Sequence, residues 1–279
     1  MKRLFLACTP RTGNLWFRKM LAASLGIQNV AAHSPEEVPW RDLPTDCLVA
    51  MHWHYSDGFA AFLRSQGFSS IVTMRNPLDV LISILQFSKH EPATARWLNG
   101  EGGDERGLAC ADPTSPEFLQ YALSERAAAL LGISSEWAPH ALSVVRYEEL
   151  VECSETVLTR VLREVGETAV VPLSDVIAQN TMERLRPVSK HHFWRGEPGL
   201  WRKLLTQEFC RAISARHAEL MAVTGYDHSH ATAPSAEAVR ELWEKLSDTE
   251  AGGYLGANKA ESARGAELQG SPTGTTPSR

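Results

Sequence analysis

Two short stretches of the sequence hold residues able to grip an anion. The first is TPRTGN, residues 9–14, set between an apolar run and a helical pattern. Backbone N–H groups at the start of a helix lack intrahelical partners and favour negative charge. Gly13 lets the backbone approach an oxyanion closely, and Arg11 adds a fixed charge with several donors. The pattern GxxxxGK[ST] is absent, so this is not a Walker A loop. A plain strand-to-helix turn carries similar residues, so the loop alone decides little. The second stretch is TMRNPLDVLIS, residues 73–83. Arg75 ends a strand pattern, Asn76 can cap the following helix, Pro77 suits its first turn, and Ser83 lies two turns on. Two anion sites on neighbouring turns suit a nucleotide with two separated phosphates. His52 and His54 follow a third apolar run. An imidazole with a pKa near 6.5 can take a proton from a hydroxyl at neutral pH.

These residues need a scaffold that gathers them. Apolar runs at 3–8, 46–51, 69–74 and 141–146 alternate with helical patterns at 15–25, 58–67, 77–89 and after residue 146. Strands separated by helices imply parallel βαβ units covered on both faces, with ligands bound where strands end and helices begin. The fold class expected is α/β, a single P-loop-like domain over residues 1–248 with about five parallel strands. Residues 90–115, rich in Gly, Pro and charge, read as a lid or a disordered loop. A helix is expected at 236–246. Residues 249–279 have almost no large apolar side chains and read as a disordered tail.

Composition narrows the function classes. Of 279 residues, 43% are hydrophobic and 22% charged, with a net charge of −5, which argues against coating nucleic acid or anionic membrane through bulk positive charge. Five dispersed cysteines without a CxxC pair argue against a disulfide framework or structural zinc site and for a reducing compartment. The apolar run from Leu4 to Cys8 is too short for a signal peptide, and no stretch approaches a membrane span. The cytoplasm is the expected location, with no membrane or nucleic-acid partner.

Four segments resemble those of the PAPS-dependent sulfotransferases, where PAPS is 3′-phosphoadenosine 5′-phosphosulfate. TPRTGNLW is similar to their TYPKSGTTW loop, RNPLDVLIS to RNPKDVAVS, VRYEEL to RYEDL, and HFWRGEPGLWRKLLT (192–206) to RKGxxGDWKxxFT. They occur in family order and span about residues 3–206. The resemblance implies a five-stranded parallel sheet that binds PAPS as donor and releases adenosine 3′,5′-bisphosphate (PAP), with no metal. It implies that Arg11, Thr12, Gly13 and Asn14 hold the 5′-phosphosulfate and that Trp16 stacks on adenine. Arg75 and Ser83 would hold the 3′-phosphate, Arg195 and Gly196 would close over it, and Tyr147, with Thr181 and Met182, would lie near the adenine. His52, at the end of the second strand run where the family has Lys-Thr-His, would be the base, with His54 as second choice.

Three departures accompany the resemblance. Arg11 replaces the family lysine and cannot hand over a proton, so it acts as an electrostatic clamp. Leu15 replaces a threonine, with Asn14 beside it as a substitute polar group. Trp194-Arg195 replaces an Arg-Lys pair, with Lys190, His191 and His192 as other sources of charge. The reading is sulfuryl transfer to a hydroxyl or amine of a small-molecule acceptor by a monomer or homodimer. A kinase with a degenerate phosphate loop, or a catalytically silent nucleotide-binding protein, are the alternatives. Trp97, with Trp40, Trp53, Phe59 and Phe62, is a candidate lining for the acceptor pocket, although Phe59 and Phe62 fit core packing equally well. The pair His191-His192 reads as a polar turn, and Glu148 and Glu149 as capping or solvated residues.

Overall fold

The computed structural model describes residues 2–189 and 191–251. Five strands, β1 (Arg3–Cys8), β2 (Gln28–Ala32), β3 (Cys47–Met51), β4 (Ser69–Met74) and β5 (Ser143–Arg146), form one sheet in the order β2-β3-β1-β4-β5, with every pairing parallel. The helices are α1 (Asn14–Leu25), α2 (Asp57–Ser65), α3 (Pro77–Ser88), α4 (Pro116–Ala122), α5 (Glu125–Trp137), α6 (Tyr147–Glu152) and α7 (Ser154–Glu164). They continue as α8 (Leu173–Gln179), α9 (Met182–Leu185), α10 (Trp201–Leu204), α11 (Gln207–Arg216), α12 (Ala218–Thr224) and α13 (Ala236–Ala251).

Because successive side chains of a strand point to opposite faces, β1 feeds two cores. Leu4, Leu6 and Cys8 pack with Phe17 and Leu21 of α1 and Leu158 of α7. Phe5 and Ala7 pack with Leu81 of α3 and Trp137 of α5 on the other face. Covered on both sides, the inner strands read as unbroken apolar runs. Edge strand β2, QNVAA, has only partly buried or exposed residues and a composition poor in strand formers, so periodicity does not announce it.

The segment 90–115 is ordered, not a disordered loop. It turns through short 3₁₀ stretches at Pro92–Gly100 and Arg106–Leu108 and buries Trp97, Leu98, Leu108 and Ala111. Its organiser is Arg126 of α5, which is 3% exposed and pairs with the fully buried Glu105 at 3.0 Å. The same guanidinium donates to the carbonyls of Trp97 (3.0 Å) and Glu101 (2.8 Å). An arginine so placed satisfies the backbone groups of a segment that makes no ladder of its own.

Helix α13 extends to Ala251, past the expected end at 246 and the expected domain boundary at 248. The tail expected from composition lies, from residue 252 on, outside the described residues. Among the described residues, no helix is long and apolar enough to cross a membrane.

Candidate active site

The register of the sheet sets the site. Cys8 pairs with Thr73, Ala7 with Met51, and Met74 with Arg146, so the carboxyl ends of β1, β3, β4 and β5 lie side by side. The residues that follow them are the 9–13 turn, His52, Arg75 and Tyr147. Residues far apart in sequence thus meet at one sheet edge.

The 9–13 turn is clamped from below by hydroxyls. The Thr12 hydroxyl donates to the Thr9 carbonyl at 2.8 Å and lies 2.9 Å from the Thr73 hydroxyl. Ser134 of α5 accepts from the Thr9 N–H at 2.7 Å and donates to the Thr73 carbonyl at 2.8 Å. Above this network Arg11 adopts φ 69° and Gly13 φ 77°. The left-handed conformation is ordinary for glycine and costly for arginine. A Cβ on Gly13 would run into the Tyr147 ring. Thr12 therefore offers its backbone, not its hydroxyl, to any ligand above.

Two cavities open above the turn. The first, about 50 Å³, is lined by Gly13, Trp16, Arg75, Ser83, Tyr147 and Gly196, among others. Arg75 stacks its guanidinium over the Tyr147 ring at 4.4 Å and donates from Nη1 to the Arg11 carbonyl at 3.2 Å. Its Nε is buried and has no hydrogen-bond partner among the described residues. A buried cationic N–H left unpaired beside a cavity fits an anionic ligand. The Tyr147 hydroxyl donates to the Gly196 carbonyl at 2.9 Å, and the Trp16 indole N–H to the Asn180 carbonyl at 2.7 Å. Met182, Arg195 and Gly196 complete the wall, whereas Thr181 spends its side chain capping α9. The open space of this cavity is smaller than a nucleotide.

The second cavity, about 270 Å³, is lined by Arg18, His33, His52, Phe87, Glu91 and Trp97, among others. Arg11, Asn14, Leu15 and His192 line both cavities and form the partition between them. Arg11 crosses this partition: its Nε donates to the Ser83 hydroxyl at 3.0 Å, and Nη2 to the His191 and His192 carbonyls at 3.1 and 3.3 Å. Its guanidinium also stacks on Phe87 at 4.2 Å. Burial, and Arg75 beside it, push its pKa down to about 9, which leaves it charged at neutral pH.

His52 Nδ1 donates to the Cys8 carbonyl at 2.7 Å, which leaves Nε2 as the acceptor, 3.4 Å from the Asn14 amide nitrogen. Desolvation lowers its pKa to about 4 against the opposing pull of the Cys8 carbonyl, so the ring is neutral at pH 7. Asn14, the polar neighbour of Leu15, is directed to His52, to Cys8 Sγ (3.3 Å) and to the Leu15 N–H (2.6 Å). Burial drives the Cys8 thiol up to about 12, so it stays protonated. His54 faces elsewhere and pairs with Glu136 at 2.9 Å. Of the aromatic candidates for an acceptor lining, Trp97 reaches this cavity; Trp40, Phe59 and Phe62 pack on one another.

No family model matches the sequence, and no curated protein matches it either. Solved structures do. Mouse sulfotransferase SULT7A1 complexed with PAP superimposes with a TM-score of 0.59 at 16% identity, over 81% of this chain and 89% of that one. Retinol dehydratase in complex with androsterone and the inactive cofactor PAP gives 0.52 at 12% identity, over 79% and 81% of the two chains. The same enzyme with retinol and PAP gives 0.53 at 10% identity, over 79% and 82%. The chain has the sulfotransferase fold.

Within that fold, several site residues escape the sequence reading. Asp79, buried in the first turn of α3, accepts from the N–H groups of Gly199 (2.6 Å) and Trp201 (2.9 Å) and anchors the late loop over the first cavity. It stands inside the RNPLDVLIS segment, so a signal was present. Glu148 accepts from the Asn76 N–H at 2.9 Å and the Tyr226 hydroxyl at 3.1 Å, a tie rather than a solvated end. His192, expected in a polar turn and as a source of charge, lines both cavities, and desolvation lowers its pKa to about 4, so it is neutral at pH 7. Arg18, a helical residue with no motif around it, gave no signal.

Proposed function

We propose that the chain is a sulfotransferase that moves a sulfuryl group from PAPS to the hydroxyl or amine of a small molecule. The observation that carries this reading is the partition: an anion-seeking cavity and a cavity holding a neutral histidine share a single wall. A group transfer between two ligands needs such adjacency.

PAPS, when bound, supplies the sulfuryl group and a phosphate oxygen as leaving group. In the first cavity Arg75, with its unpaired Nε, and Ser83 hold the 3′-phosphate, and the Ser83 hydroxyl exchanges Arg11 for it. The backbone N–H groups of residues 12–14 and the Arg11 guanidinium hold the 5′ end, where negative charge builds on the leaving oxygen. Preorganised donors aimed at developing charge are commonly the largest catalytic contribution. Trp16 and Tyr147 flank the adenine. In the second cavity His52 takes the acceptor proton at Nε2. The Cys8 carbonyl fixes the tautomer and Asn14 steadies the ring.

The test incubates the full chain with PAPS against phenols, alcohols, sugars and amines, and measures PAP release together with sulfated product by mass. The reading expects release matched to product for at least one acceptor and no transfer from ATP with Mg²⁺. Absence of product across the panel, together with absence of PAP binding, would overturn it.

A further inference from the structure

The second cavity carries information about its acceptor, and the inference rests on the sulfotransferase reading above. Arg18 lies one helical turn after Asn14, on the same face of α1 and about 6 Å further along its axis. It is half-buried, and desolvation lowers its pKa. Its Nη1 donates to Asn29 Oδ1 at 3.1 Å, a neutral amide. Among the described residues no carboxylate is hydrogen-bonded or ion-paired to it. Of the other polar groups in this cavity, His52 is neutral at pH 7. Arg11 is committed to Ser83 and Phe87, and the Glu91 carboxylate lines the same cavity, where its charge favours protonated His33. Among the described residues of this cavity, Arg18 is the cation left for a ligand.

Beside the polar His33, Glu91 and His192, the remaining wall is aromatic and apolar. Phe87 and Trp97 are near parallel, with centroids 6.0 Å apart and 8° between planes. Trp97 stands edge-on to His52 at 6.0 Å. Ala31, Ala32 and Met51 close the cavity from the sheet edge. His52 and Arg18 line this cavity together with that aromatic pair. We propose that the acceptor is a small aromatic hydroxy compound bearing a carboxylate, with its hydroxyl at His52 and its carboxylate on Arg18. A guanidinium fork matches a carboxylate with two parallel hydrogen bonds, which an ester cannot reproduce.

The experiment compares para-hydroxyphenylacetate with its methyl ester on the full chain. Sulfuryl transfer from PAPS gives kcat/KM for each, and calorimetry in the presence of PAP gives binding without turnover. The proposal expects the carboxylate to be favoured by about tenfold or more, the yield of a charge-assisted pair. Arg18→Gln should bring that ratio close to one through KM. Asn29→Asp, which places a carboxylate against Arg18 without removing it, should do the same and guards against misfolding of the first variant. Equal use of acid and ester by the wild type, or a preference that survives both variants, overturns the proposal and leaves sulfuryl transfer standing. If no transfer is seen, Arg18-dependent calorimetric binding of the carboxylate supports the anion site while the sulfotransferase reading falls. Binding that ignores Arg18 overturns the anion site.

Discussion

The two cavities on either side of Arg11 are made of different materials. The first cavity, the donor side of the proposed reaction, rests on central elements: the β1–α1 turn in left-handed backbone, the start of α3, and Tyr147 at the end of β5. Beneath it the Thr9, Thr12, Thr73 and Ser134 hydroxyls tie three elements together. The second cavity, the acceptor side of the proposed reaction, draws on the periphery, with Ala31 and Ala32 from edge strand β2 and Glu91 and Trp97 from the irregular 90–115 segment. A cavity built on central elements beside one whose wall is drawn partly from an edge strand and an irregular segment lets one scaffold vary what the second accommodates. Substitutions on the two sides should therefore fail in different ways.

The largest contrast is expected at His52. His52→Ala should cut turnover by about 10²–10⁴, the usual worth of a general base, while PAP affinity stays within about threefold. His54→Ala should lose far less, since His54 is paired with Glu136 away from both cavities. Normal turnover in His52→Ala would erase the acceptor side's claim to the chemistry.

A comparable loss, read in stability, is expected at Arg126. Removing one partner of a buried ion pair costs about 3–5 kcal/mol, and Glu105 is fully buried beneath it. Arg126→Met should show that loss by urea denaturation. At temperatures where the variant remains folded, acceptor KM should rise with PAP affinity held, because Arg126 anchors the carbonyl of Trp97. A stability loss below about 1 kcal/mol would mean the segment is held by other contacts.

A smaller effect concerns pH. His52 has a folded pKa of about 4, below the ordinary 6.5, so the unfolded chain binds more protons between those values. Its contribution to stability is thus lost as pH falls through that window. Wild type should lose more stability than His52→Ala between about pH 7 and about pH 4.5, the other histidines cancelling in the comparison. Equal losses would place the ring in solvent.

Most of the first cavity's lining stands in segments singled out from the sequence, whereas of the second cavity's lining His52 and Trp97 are singled out and Arg18 is not. Continuous apolar runs disclosed β1 and β4 to the residue, and Arg75, Ser83 and Tyr147 stand in motifs that β-strand ends bring together. Three kinds of feature stayed hidden. Ser134 supports a turn 125 residues away, and no local pattern marks such a pairing. Edge strand β2 lacks the apolar run that its buried neighbours show. The 90–115 segment owes its order to one arginine on α5, whose helical pattern gives no hint that its guanidinium collects carbonyls. Thr12 illustrates the reverse case. The resemblance places Thr12 at the 5′-phosphosulfate, and the fold turns its hydroxyl toward the sheet.

The central claim is that the donor cavity reads a nucleotide by two separated anions. Calorimetry on wild type and Arg75→Ala, each titrated with PAP and with 5′-AMP, tests it most directly. Charge-assisted hydrogen bonds are worth roughly 1.5–3 kcal/mol each, and Arg75 Nε has no partner among the described residues to compete for it. The account predicts that wild type prefers PAP, and that Arg75→Ala weakens PAP at least about tenfold while leaving 5′-AMP nearly unchanged. Equal losses for both ligands, or no preference for PAP in the wild type, would contradict it.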